Sequence, residues 1–542
     1  MVQREQNRSN RSTLKQRREH VLERFAAFGF TRGPHRLVPD GHRGTAAESP
    51  GLKLRLALSD LGPVFSSFGR YLATRVDLLP AKECLELEAI TDYAPPMSFA
   101  DVRQLMDRAV GCAPEDAFLY FENECFESRL LYQLHHASLL ESGRPVVVKL
   151  VRPEVAQLLL CDLELLESIA PAIGGPKRTA LYKTVAADFG VVLRQQIDLT
   201  HEAKALETLR RDVEDFEFLR VPEVLHNLSA TSILTSEDLP GEITPREPGR
   251  IMDPQGVARL YCSVWLRQAL LGHVFPVEPS AANVAVISDK QIAFTGGVFS
   301  SLPAESQANF WKYLIASAGE SPDQACSYFL KELRRDGASG DDEDLRHRFR
   351  QVVPFRDSGW YNDDDRNHLI EHLVVHWLAA TGCGYVPSPQ LSAFARGLFA
   401  ITRLAQQLSP ETDPLMEGLQ EARLLESTAR MREMLNLQHL GDHVDRYAAM
   451  MIAMPQRLDQ MLTLTSEGSP RLKLHVPETV SHRRAKNSVA VMTAMLLLLA
   501  AVAFALPRVT SVLAGREWAG RINAVAFVAC GALLLLAASR AR

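Results

Sequence analysis

The feature that most constrains this chain lies near its C-terminal end, where Ser488 to Leu506 reads SVAVMTAMLLLLAAVAFAL without a charge. At 1.5 Å per residue such a run crosses the roughly 30 Å hydrocarbon core of a bilayer as a helix. Its apolar residues run all round rather than along one stripe, which argues against a surface helix. A second, shorter apolar segment follows from Ile522 to Ala538, after Pro507 has closed the first. The short connection predicts an antiparallel hairpin that crosses out and back, with every backbone polar group bonded internally. Arg483, Arg484 and Lys486 precede the pair and Arg540 and Arg542 follow it, against Arg508, Arg516 and Arg521 between. That bias predicts both termini, and the body, on the cytoplasmic side. The lipid bilayer is thus the first expected partner.

The body is long for one domain, since 542 residues exceed the ordinary range. A composition of 46% hydrophobic and 23% charged residues with net charge -5 gives no overall pull toward nucleic acid, and no nucleic-acid partner is expected. The 8 cysteines are scattered singly, without a CxxC pair or histidines at metal-ligand spacing. A disulfide framework or zinc site is therefore not expected, and a reducing compartment is. The first residues carry Arg4, Arg8, Arg11, Lys15, Arg17 and Arg18 but no apolar core, unlike a secretory signal.

A first helix is expected from Arg17 to Phe28, followed by a loop over 31–50, rich in Gly, Pro, His and Ser. Helical periodicity dominates thereafter. Strand-like runs are VVVKLV at 146–151, SILTSE at 232–237, and NVAVIS at 283–288 with QIAFTG at 291–296, joined by Asp289 and Lys290 as in a tight hairpin. The acidic stretches Asp341 to Asp344 and Asp363 to Asp365 read as solvated loops. The sum is an α+β body.

Lys149 ends an apolar strand, where its ammonium either snorkels to solvent or meets an acid from a facing helix. Further on, QQIDLTHEA places Gln196, Asp198 and Glu202 on a helical segment, with Asp198 and Glu202 one turn apart. A lysine paired with a helix glutamate, then a hinge and a hairpin carrying Asn283, is a layout that holds nucleotide phosphates and magnesium in kinase-like folds.

The segment LALSDLGPVFSSFGRYLATRVDLLP, Leu56 to Pro80, resembles the signature LGPtFiKxGQxLsTRxDLLP of the UbiB/AarF family of atypical kinase-like proteins. The likeness continues through APPMSFADV at 94–102, GRPVVVKLVRPEV at 143–155, IDLTHEA at 197–203, VPEV at 221–224 and EPSAANVAV at 278–286. This resemblance implies a bilobal kinase-like fold with a helical extension over the nucleotide cleft, ATP and Mg2+ as cofactors, and a role in ubiquinone biosynthesis at the membrane. It implies that Lys149 and Glu202 form the family's ion pair, that Asp198 is the second acid of its ExD motif, and that Asn283 binds metal.

Several positions depart from the pattern. The signature's Lys and Gln fall on Ser67 and Arg70, while Gly69 stays; the first ExD acid is Gln196. The alanine-rich loop over the phosphates falls on Glu127, Ser128, Arg129 and Leu130, whose side chains obstruct a close backbone approach. FHADPHPGN becomes FPVEPSAAN, so that the catalytic Asp is Glu278, a candidate for catalysis and for metal. The magnesium-binding DFG falls on Thr295, Gly296 and Gly297, and a neutral hydroxyl is a poor holder of a hard dication. ADFG at 187–190 lies in a helical stretch upstream of Asn283, out of order for that motif.

The expected organisation is a basic tail, helix and loop over 1–50, a helical extension over 51–115, and a kinase-like domain over 116–460 whose N-lobe ends near 240. A linker over 461–487 and the transmembrane hairpin over 488–538 complete it. The expected function is that of a pseudokinase, holding ATP and Mg2+ weakly or not at all and binding quinone precursors, lipid or quinone-biosynthesis proteins. The alternatives are an active divergent ATPase or small-molecule kinase, and a structural membrane scaffold unconnected to quinones.

Overall fold

Alternation builds the sheet. In the strand Pro145–Val151, Val146, Val148 and Leu150 are buried on one face, and Lys149 is turned to the other. We follow this protein in a computed structural model that describes residues 16–423, apart from stretches of which 167–178, 240–249 and 352–367 are the longest. The segments at 488–506 and 522–538, the acids Asp363 to Asp365 and the end of the expected 116–460 domain lie outside the described residues. Among those described, no helix is long and apolar enough to cross a membrane.

The main sheet is antiparallel. Its strands are β1 (Phe118–Phe121), β2 (Glu127–Ser128), β3 (Tyr132–Leu139), β4 (Pro145–Val151) and β5 (Ile233–Glu237), in the order β1-β3-β4-β5 with β2 beside β3. The register sets Leu134 opposite Lys149 and Lys149 opposite Leu234. Its Val146, Val148 and Leu150 face packs on Val102 and Met106 of a helix, Phe99–Val110, which Ser98 opens by accepting from the Asp101 amide at 3.2 Å. Three earlier helices, α1 (Pro50–Asp60), α2 (Pro63–Ala73) and α3 (Ala81–Glu88), pack on one another. Gly69 of α2 is required there, because a Cβ would run into Ile90 and lie 3.0 Å from Leu58 Cδ1.

Helices α4 (Thr179–Ile197) and α5 (Leu199–Asp212) follow the sheet. Below them the core is helical. The nearly all-buried α6 (Pro254–Leu271) packs along α7 (Pro389–Leu408), with Phe310 of a further helix stacked on Phe394 of α7 at 4.4 Å. Trp265 Nε1 donates to Pro276 O at 2.8 Å, fixing the approach to Glu278. The expected hairpin forms as β6 (Val284–Ser288) and β7 (Gln291–Phe294), and β7 also pairs in parallel with Leu219–Arg220.

Three expectations are corrected. The span 31–50 is not all loop, since Phe30–Gly33 and Arg36–Pro39 form an antiparallel pair. Three strands of the main sheet, β1, β2 and β3, were not anticipated: Gln133 and His135 interrupt the apolar alternation of β3. Both are nonetheless buried, bonded to each other at 2.8 Å, with Gln133 Oε1 also accepting from the Met97 amide. Asp341 to Asp344 begin a helix, Asp342–Arg350. The Asp341 carboxylate accepts from the amides of Glu343 and Asp344, and acids suit the positive end of the helix dipole.

Candidate functional site

On the face of β4 that it shares with Val147 and Val151, Lys149 sends its ammonium under the sheet to Glu202, a buried residue in the first turn of α5. Nζ lies 3.0 and 2.8 Å from the two carboxylate oxygens and 4.1 Å from the Tyr132 ring centre. Burial works to lower the Lys149 pKa, but Glu202 and Tyr132 outweigh it and the ammonium is held above its ordinary value. Glu202 Oε1 also accepts from the Gly297 amide at 2.8 Å. At φ +114°, Gly297 takes a backbone form that suits glycine, and a Cβ there would sit 2.6 Å from Asn283 Nδ2. One carboxylate thus joins the sheet, α5 and the turn after β7.

The second group forms around Glu278. Oε1 pairs with Arg396 Nη1 of α7 at 2.8 Å, and Oε2 accepts from Gln196 Nε2 of α4 at 3.3 Å. Arg396 is 2% exposed and lies over the Tyr71 ring of α2 at 4.7 Å. The Tyr71 hydroxyl donates to Asp188 at 2.6 Å, and Ser392 donates to the same oxygen at 2.8 Å. Burial raises the Glu278 pKa against the opposing pull of Arg396 and Arg70. Both ends of the Asn283 amide are engaged: Oδ1 accepts from the Ser280 amide at 2.7 Å and Nδ2 donates to Glu278 O at 3.2 Å. The Thr295 amide donates to the Asn283 backbone carbonyl at 3.0 Å, so the threonine lies across the hairpin from Asn283.

Asp198 is not brought to this cluster. The helical segment expected across Gln196, Asp198 and Glu202 breaks at Asp198, which caps α5 by accepting from the Thr200 amide at 3.1 Å. A short carboxylate at that point satisfies an end amide better than it continues the helix. The ADFG letters lie on α4 as expected of a helical stretch, yet Asp188 among them ties α2 to α7. Sequence spacing gave no sign of Arg396, Asp188 or Tyr71, whose partners lie far away along the chain.

The loop 127–130 closes one side. Arg129, 8% exposed, pairs with Asp92 at 2.7 Å and with Glu127, while Arg70 reaches Asp92 at 3.4 Å. Ser128 Oγ donates to Ala94 O at 2.6 Å. The two positions that depart most in charge, Arg70 and Arg129, therefore meet on one acid of the extension.

A lysine–glutamate pair between a sheet and a helix, above a loop and hairpin carried on a helical layer, defines the kinase-like class of α+β proteins. The ABC1 atypical kinase-like domain matches residues 89–326. A protein from Xylella fastidiosa named "Probable protein kinase UbiB" is 30% identical over 76% of this chain and 77% of its own length. One from Xanthomonas oryzae pv. oryzae with the same name is 30% identical over 56% of this chain and 57% of its own, so the chain spans little more than half of that relative. A solved structure, "The complex structure of Rv3197-erythromycin from Mycobacterium tuberculosis", aligns at TM-score 0.38 and 15% identity over 63% of this chain and 90% of that one. The chain belongs to the UbiB/AarF family of atypical kinase-like proteins.

The residues present do not fit a magnesium-bound triphosphate. Mg2+ needs carboxylate oxygens and waters in near-octahedral array. Here Thr295 offers no charge, Asn283 is spent on Ser280 and Glu278, and Glu278 is spent on Arg396 and Gln196. No group of three His, Cys, Asp or Glu suited to a metal occurs among the described residues.

Proposed function

We propose that this chain is a membrane-attached pseudokinase that supports isoprenoid quinone biosynthesis by binding rather than by phosphoryl transfer. The observation that carries the reading is the spent state of Glu278 and Asn283 beside a threonine. Phosphoryl transfer relies on metal ions and positioned cations, and each 1.36 kcal/mol lost from that stabilisation is tenfold in rate. The membrane part rests on the apolar segments at 488–506 and 522–538, and the quinone part on the family. Its partners on this reading are quinone precursors or the proteins that process them.

Thermal unfolding of the full-length chain with and without ATP and Mg2+, together with phosphate release, tests the inactive state. No shift and no release are expected; turnover that Lys149→Ala abolishes refutes it. Deleting the gene should lower cellular quinone, and an unchanged level would leave only a scaffold unconnected to quinones. A divergent ATPase is the second reading, favoured by the intact Lys149–Glu202 pair. Phosphate release separates the two.

A further inference from the structure

A cavity of about 520 Å³ opens between the end of β4, the start of β5 and the junction of α4 with α5. Its size falls within the range of small-molecule sites. Arg152, at its wall, is 7% exposed and hydrogen-bonds only to neutral acceptors: Arg129 O at 2.8 Å, Ser128 Oγ at 2.7 Å and Ala94 O at 3.4 Å. Glu154 acts on this guanidinium only through space, without a hydrogen bond, and burial still lowers its pKa, so an anion bound directly would offset the cost. Arg194, on the same wall, is exposed and makes no side-chain hydrogen bond or ion pair among the described residues. The one acid at the wall, Asp198, is already engaged by Thr200 and faces His201 at 3.4 Å. The net lining is therefore cationic.

The rest of the wall is mostly apolar, with Leu105, Val151, Pro153 and Ile197 beside Thr231 and Ser232. We propose that this cavity binds an organic phosphate, its anion set between Arg152 and Arg194 and its apolar substituent against Leu105, Val151 and Ile197. A phosphate monoester carries close to two negative charges near neutral pH, which matches two guanidiniums, and its oxygens suit their forked donors. The site is separate from the cleft but linked to it: Arg152 holds the loop 128–129, and Asp198 caps the helix that carries Glu202.

Isothermal titration of the full-length chain with phenyl phosphate tests this. One molecule per chain should bind at least about tenfold more tightly than inorganic phosphate, since burying the ring adds to the charge pairing. Benzyl alcohol should not bind. Arg194→Ala should weaken phenyl phosphate about tenfold or more, and because Arg194 is exposed and unpaired, that variant should fold. Unchanged binding in Arg194→Ala, or equal affinity for inorganic phosphate, overturns the proposal. So does loss of binding in Lys149→Met with Arg194→Ala unaffected, which would put the anion in the cleft. Phosphatidylcholine vesicles with and without phosphatidate identify the source: displacement of phenyl phosphate only by phosphatidate supports a lipid ligand in the site, and no displacement supports a soluble one.

Discussion

Glu278 Oε1 and Arg396 Nη1 lie 2.8 Å apart although 118 residues separate them in the chain. The carboxylate lies in the turn between Phe275–Pro276 and β6, and the guanidinium comes from the last long helix of the described core. Glu278 keeps 26% of its side chain open, yet its carboxyl is enclosed closely enough for burial to raise its pKa.

Arg396→Ala should destabilise the protein by about 3 kcal/mol, the low end for a broken buried pair because Glu278 is part open. The double variant with Glu278→Gln should cost less than the two singles summed. Urea unfolding of all three checks this, and simple additivity would show that the two side chains do not interact.

Lys149 and Glu202 are more deeply enclosed, at 13% and 3% side-chain exposure. Lys149→Ala leaves the carboxylate with little beyond the Gly297 amide and should cost about 3–5 kcal/mol. Lys149→Met combined with Glu202→Gln should recover most of that loss in thermal unfolding, because neither charge is then stranded.

Thr295→Asp places a carboxylate across the hairpin from Asn283, and Arg129→Ala removes the buried guanidinium that pairs with Asp92. Together they should confer a magnesium-dependent rise in thermal stability with ATP. At ATP 100-fold above its dissociation constant the stabilisation is about 2.7 kcal/mol. A variant as indifferent to ATP as the parent would show that the missing charge is not what keeps nucleotide out.

Asp92 gathers Arg70 and Arg129. Asp92→Asn should loosen the segment 92–97 from the loop 127–130, speeding limited proteolysis there while the helical core resists. Equal cleavage rates would show that Ser128, Gln133 and Arg152 hold the segment without Asp92.

Glu371 is pushed up to about 7, first by burial and then by Asp413. Its folded pKa exceeds the unfolded value, so its stabilisation is full below the ordinary carboxylate pKa and is lost as pH rises through about 7. His376, lowered to about 3 by burial and His372, acts oppositely, losing stability as pH falls below the usual histidine range. The difference in melting temperature between parent and Glu371→Gln isolates the first effect. The glutamine form should gain on the parent between pH 5 and 8, and a pH-independent difference would refute the assignment.

What the sequence made legible follows range and chemistry. The strands at 146–151 and 232–237 and the hairpin at 284–294 carry their apolar patterns openly, and Lys149 and Glu202 stand in motif positions. Asp198 was misplaced because cap and helix interior read alike until the break is seen. Strand β3 hid behind buried polar residues that bond one another. Arg396 and Asp188 were invisible, because no local pattern announces an ion pair closed across the lobes. The apolar segments at 488–506 and 522–538 lie outside the described residues.

Helix α7 supplies both Arg396 to Glu278 and Ser392 to Asp188. During translation the ribosome releases residue 278 well before residue 396, so the nascent sheet and hairpin wait with an unmatched acid. The cleft's electrostatics are settled only when the late helix docks, and a chain cut short before residue 389 would emerge with its two halves unlatched.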